Sequence, residues 1–181
     1  MKKTKGISKM ENLEKLIKKD QKKFSKKKMR ELLCDSVAHS GVIHILVMSM
    51  EEISELIDVI ARNGKKIDYI HTTEEIVDVK IMIEYMKVIF SLKDDDMKFK
   101  GKKKKLGQMD YIINLCSCQK DISKYLRRSN MKKRCEKMVP VLNYITDELI
   151  DYYKIKKKDI EKIQAIKLTR LEDRLLHNEI R

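Results

Sequence analysis

Glycine and proline are nearly missing from this chain, at five and one in 181 residues. Folds built on many tight turns lean on those two residues, so a hairpin-rich β architecture is excluded and long helices are expected. Tryptophan is absent, and aromatic residues make up only 6% of the sequence. The few that occur are not interleaved with the basic residues, so no stacking platform for nucleic-acid bases is evident. Long apolar runs are also missing. The longest, residues 42–50, contains His44 and is far too short to cross a bilayer. No apolar segment of signal length follows the basic Lys2, Lys3 and Lys5. A soluble, cytoplasmic protein without a membrane partner is therefore expected. Cys34, Cys116, Cys118 and Cys135 form no CxxC pair and have no matching histidine spacing. Reduced thiols are expected, because the neighbouring Cys116 and Cys118 do not by themselves make a soft-metal site.

Charge is abundant. Forty-two Lys and Arg stand against 28 Asp and Glu, a formal net charge of +14. Such an excess attracts polyanions, nucleotide phosphates included. It is concentrated in the first thirty residues and at 102–105, where solvated helix faces explain it better than a nucleic-acid site does. The chain divides into a basic N-terminal segment and helix (1–40), a helix pair (41–92), a charged linker (93–105), and a second helix pair with a last helix (106–181). Helices are expected over about 10–34, 42–62, from Thr72 or Thr73 to 90, then 106–127, 131–153 and 158–175. The Asn63-Gly64 step ends the second of these, and the linker reads as solvated loop. The fold class is all-α, an antiparallel helical bundle. An offset of 62 residues overlays the two pairs, matching Ile60 with Ile122, Glu74 with Glu136, Val77 with Val139, Val79 with Val141 and Ile83 with Ile145. An internal repeat is expected, with the second copy degenerate.

The chemistry concentrates in two acidic motifs. The first is Glu51-Glu52-Ile53-Ser54-Glu55, and nineteen residues later comes Glu75-Ile76-Val77-Asp78. Glu52 and Glu55 share a helix face, as do Glu75 and Asp78. A turn at Asn63-Gly64 lets the two helices lie antiparallel with the four carboxylates converging. These acids interrupt apolar stripes, as with Glu52 one turn from Met48 and Leu56. A carboxylate buried without a partner costs several kcal/mol, and neighbouring carboxylates repel. A cation resolves both problems, and oxygen ligands in that number suit Mg²⁺ or Mn²⁺. Two plainer readings stay open. Thr72 and Glu75 fit a capping box, and Glu51, Glu52 and Glu55 can form an exposed acidic face.

Residues 49–90, which read SMEEISELIDVIARNGKKIDYIHTTEEIVDVKIMIEYMKVIF, resemble the all-α nucleotide pyrophosphohydrolases of the MazG and dimeric dUTPase type. That family carries EExxE followed, across a helix break, by ExxD. The resemblance covers about a quarter of the chain. It implies a Mg²⁺-dependent enzyme (Mn²⁺ as substitute) that splits a nucleoside triphosphate into monophosphate and pyrophosphate. Glu52, Glu55, Glu75 and Asp78 are then the metal ligands, and Glu51 assists as a second-metal ligand or by orienting water. Arg62, Lys65 and Lys66 are candidates for the substrate phosphates, with solvated loop cations as the alternative. Family members build their bundle from two or more subunits, so a homo-oligomer is possible, or the second half replaces a partner subunit. In that half Glu52, Glu55, Glu75 and Asp78 become Asn114, Ser117, Lys137 and Pro140, and all four carboxylates are lost. Two other functions compete: a catalytically inactive nucleotide-binding relative, and a basic helical protein for nucleic-acid binding or assembly.

Overall fold

The structure, a computed structural model, describes residues 24–63, 67–101 and 105–177. These form six α-helices: α1 (Lys26–Ser40), α2 (Val42–Arg62), α3 (Tyr69–Ile89), α4 (Gln108–Arg127), α5 (Lys132–Tyr152) and α6 (Lys157–Leu176). No strand occurs among the described residues, and the helices pack on one another as a bundle. No single described helix is long and apolar enough to cross a membrane. The helix expected to begin near Met10 falls largely outside the described residues. Its described part starts later and runs on past Cys34 to Ser40, because Ser25 caps it by accepting from the Lys28 amide at 3.2 Å. α1 and α2 meet at 110° around Gly41. Gly41 has φ +83° and ψ 151°, a conformation essentially confined to glycine.

α2 buries a single stripe formed by Ile45, Leu46, Ser49, Ile53, Leu56, Val59 and Ile60, the spacing of one helix face. α3 is different. Eleven of its residues are buried, and they lie all around it. Its neighbours explain this, since α1, α2, α5 and α6 all pack against it. A fully buried Ile or Leu contributes roughly 1.5–3 kcal/mol. Ile76, Val77, Val79 and Met86, all at 0% exposure, therefore make α3 the centre of the core. Any polar group on this helix is carried inward with it, and that matters for Glu75 and Asp78.

The two helix pairs touch along both sides, α2 against α4 and α3 against α5. α4 runs antiparallel to α2: Gln108 donates to the Ile60 carbonyl, and Gln119 donates to the Met50 carbonyl at 2.7 Å. At the 62-residue offset, Ile53 and Leu115, Ile60 and Ile122, Val77 and Val139, and Ile83 and Ile145 are all at most 1% exposed. Pro140, lacking an amide N–H, is of the type that kinks or starts a helix. It lies inside α5, and the helix continues past it. The linker is only partly a solvated loop. Asp94 pairs with Lys26 at 3.4 Å and with Lys87 at 3.0 Å, and Phe99 stacks on Tyr144 with ring centroids 4.2 Å apart. Aromatic stacking and ion pairs dock this segment, although its composition is that of a solvated stretch.

Candidate metal centre

The site begins with the turn between α2 and α3. Buried Asn63 donates its side-chain amide to Thr72 Oγ1 at 2.8 Å and accepts from the Asp68 amide at 3.2 Å. Its backbone N–H closes the last turn of α2 onto Val59 and Ile60. One side chain thus ties the end of α2 to the start of α3 and fixes their register. Glu52 lies ten residues before the end of α2, and Asp78 nine residues after the start of α3. Glu55 and Glu75 lie seven and six residues from the same two ends. At a rise of about 1.5 Å per residue, the acids come level in pairs.

Glu52, Glu75 and Asp78 converge, each offering a carboxylate oxygen within 4.8 Å of the others. Glu55 is exposed and stands outside this closest set, though its charge acts on all three. Glu51 is exposed, and its charge reaches Glu52. The exposed-face reading holds for Glu51 and Glu55 but not for Glu52, which is half-buried, and Glu75 beside it is only 6% exposed. The capping role offered for Glu75 also falls away. α3 starts at Tyr69, earlier than Thr72, because Asp68 is the N-cap and accepts from the His71 amide at 3.2 Å. Thr72 is then inside the first turn, where its hydroxyl donates to the Asp68 carbonyl.

One oxygen of Glu75 meets His71 Nδ1 at 3.2 Å. The other, Oε2, is buried with no hydrogen-bond partner. A buried carboxylate oxygen left unpaired is costly, and a hard cation beside Glu52 and Asp78 would satisfy it. The three-carboxylate donor set suits a divalent ion that prefers oxygen. Two groups of this site were not found from the sequence. His71 lies one turn before Glu75. Lys167, from α6, donates to Asp78 Oδ2, and the side chains of this pair are 26% and 19% exposed. A signal for Lys167 did exist: it continues a stripe with Ile160, Ile163 and Leu171, a lysine where an apolar residue is due.

Burial first, then the charges of Asp78 and Glu55, push both Glu52 and Glu75 up to about 7. Lys167 opposes the shift in each. Asp78 is also raised, chiefly by burial, against the hydrogen bond from Lys167. These groups titrate as a cluster. Carboxylates whose folded pKa lies above the unfolded one are penalised only when charged. Without metal, stability is therefore expected to fall as pH rises from about 4.5 to about 7, then level off. Thermal melts in a chelator across that window check the sign. A midpoint that rises with pH contradicts it.

The candidate phosphate cations fare differently. Arg62 is paired with Asp58 at 2.6 Å on the exposed face of α2. Lys65 and Lys66 lie outside the described residues. The cysteines are all free thiols. Cys116 is exposed while Cys118 is buried, so the two do not form a chelating pair. Burial and the Asp121 charge push Cys118 and Cys135 up to about 12, which leaves both thiols protonated. Comparison with protein-family models, with curated proteins and with solved structures finds no match for this chain.

Proposed function

We propose that the chain is a divalent-metal-dependent nucleoside triphosphate pyrophosphohydrolase of the MazG-like kind, with its site between α2 and α3. The observation that carries this reading is the orphaned, buried oxygen of Glu75 beside Glu52 and Asp78. Glu52, Glu75 and Asp78 hold Mg²⁺ or Mn²⁺, with Glu55 and Glu51 at the rim for a second ion or for water. When bound, the ion neutralises phosphate charge and makes water a better nucleophile. His71 orients the Glu75 carboxylate through Nδ1. Lys167 holds Asp78 and reduces repulsion within the acids.

Incubation with a panel of NTPs and dNTPs and either metal tests the proposal. Monophosphate and pyrophosphate are the expected products. Diphosphate with inorganic phosphate, or no turnover with any nucleotide, rejects it. Lys167 favours one second reading, that of an inactive relative in which this lysine stands in for the cation. Stoichiometric nucleotide binding without turnover distinguishes that case. If the protein instead served nucleic acid through its basic surfaces, affinity for it should fall steeply with salt as released counterions return.

A further inference from the structure

The second helix pair has an open cleft where the first has its acids. The offset that aligns the two buried stripes carries Glu52, Glu55 and Glu75 onto Asn114, Ser117 and Lys137. Those three residues line a cavity of about 290 Å³ between α4 and α5, together with Arg134 and Asp121. A site that had merely decayed into scaffold would be expected to fill with apolar side chains, as the core around it does. This one stays open, and its charge has changed sign.

Donors are available there. Arg134 Nε donates to Asp121 at 2.6 Å, which fixes the guanidinium plane. Its two terminal nitrogens form the fork that matches an oxyanion. Lys137 has no ion-pair partner among the described residues, and Ser117 adds an exposed hydroxyl. The Asn114 amide is already committed, donating to the Asp110 carbonyl at 2.7 Å. Two cations against one carboxylate leave the cleft net positive. Its volume sits at the small end of ligand sites, which span roughly 300–1,000 Å³. A single phosphate group suits it better than a whole nucleotide.

We propose that this cleft binds a phosphate-type oxyanion directly, without a metal ion, through Lys137 and Arg134. The proposal stands whether or not the acidic cluster turns over nucleotide. Its test excludes that cluster by chelation, since clustered carboxylates without metal repel an anion. The full chain in EDTA at low salt is titrated with inorganic phosphate, pyrophosphate and a nucleoside monophosphate, followed by calorimetry. Saturable binding at one site is expected, about tenfold weaker in Lys137→Gln and retained in Lys137→Arg. Whichever probe binds best identifies the source of the phosphate group. Lys137 is exposed, so the variant should keep its helicity, which circular dichroism verifies. The larger cleft of about 660 Å³ lined by Lys26, Arg30 and Lys87 supplies the control. Lys26→Gln is expected to leave binding unchanged. No saturable binding, or binding that survives Lys137→Gln, overturns the proposal.

Discussion

Glu75→Gln is expected to raise the thermal midpoint of the metal-free chain at pH 8 and to abolish the stabilisation that Mg²⁺ or Mn²⁺ gives the wild type. Glu75 is 6% exposed, has one unpartnered oxygen, and is pushed up from 4.5 to about 7. Its folded pKa lies above its unfolded one, so its charged form opposes folding fully above about pH 7 and not at all below about 4.5. A displacement of that size corresponds to an upper limit on the order of 3 kcal/mol. Part of it is shared with Glu52, and a buried amide also needs partners. A net gain of about 1–2 kcal/mol is expected, or roughly 2–8 °C for a chain of this length. At pH 4.5, where the folded Glu75 is protonated, the gain should vanish and the variant should melt no higher than the wild type. A capping or salt-bridging acid behaves in the opposite way, losing stability when neutralised. Pyrophosphate release, if the proposed activity is right, should fall by at least about a hundredfold.

Lys167→Met is expected to change metal affinity in the other direction. Lys167 and a divalent ion compete for the same carboxylates, because Lys167 donates to Asp78 and its charge favours ionised Glu52 and Glu75. Removing it leaves the acids with their repulsion unopposed. The metal-free variant should lose on the order of 1–3 kcal/mol at pH 8, less than a fully buried broken pair because both partners are partly exposed. Mn²⁺ should then bind at least about tenfold tighter, and added metal should restore the midpoint. Unchanged affinity would show that Lys167 does not share these acids in solution. Weaker affinity would show that it organises the site for the ion.

These two predictions also mark where the sequence stops being readable. The spacing of EEISE and EIVD about a helix break brought the acids level, because register across a short antiparallel turn follows from residue counts. From the spacing alone Asp78 is the cleaner probe, because Thr72 offers Glu75 a cap. The structure reverses the choice. Asp68 takes the cap and frees Glu75 from that role, while Asp78 is the acid already held by a lysine. Competition between Asp68 and Thr72 for one N-terminus is decided by the Asn63 hydrogen bonds, which depend on how α2 and α3 meet. Lys167 is 89 residues from Asp78, so its arrival depends on the docking of α6, which no local pattern specifies. The docking of Phe99 from the largely exposed linker was hidden for a similar reason. Phe99 within a run of charges gives no sign of Tyr144, its stacking partner on α5. The central position of α3 was not drawn from the sequence, although Ile76, Val77, Val79, Ile81, Met82 and Ile83 cannot all lie on one helix face.

Titration of the 181-residue metal-free chain with Mn²⁺ at pH 8, with free ion followed by its electron paramagnetic resonance, tests the metal centre most directly. The wild type should take up Mn²⁺ saturably, and Mg²⁺ should displace it. Glu75→Gln and Glu52→Gln should each weaken that uptake by at least about tenfold. Failure of the wild type to retain Mn²⁺ at millimolar concentration, or equal uptake by the wild type and Glu75→Gln, would contradict a metal centre at Glu52, Glu75 and Asp78.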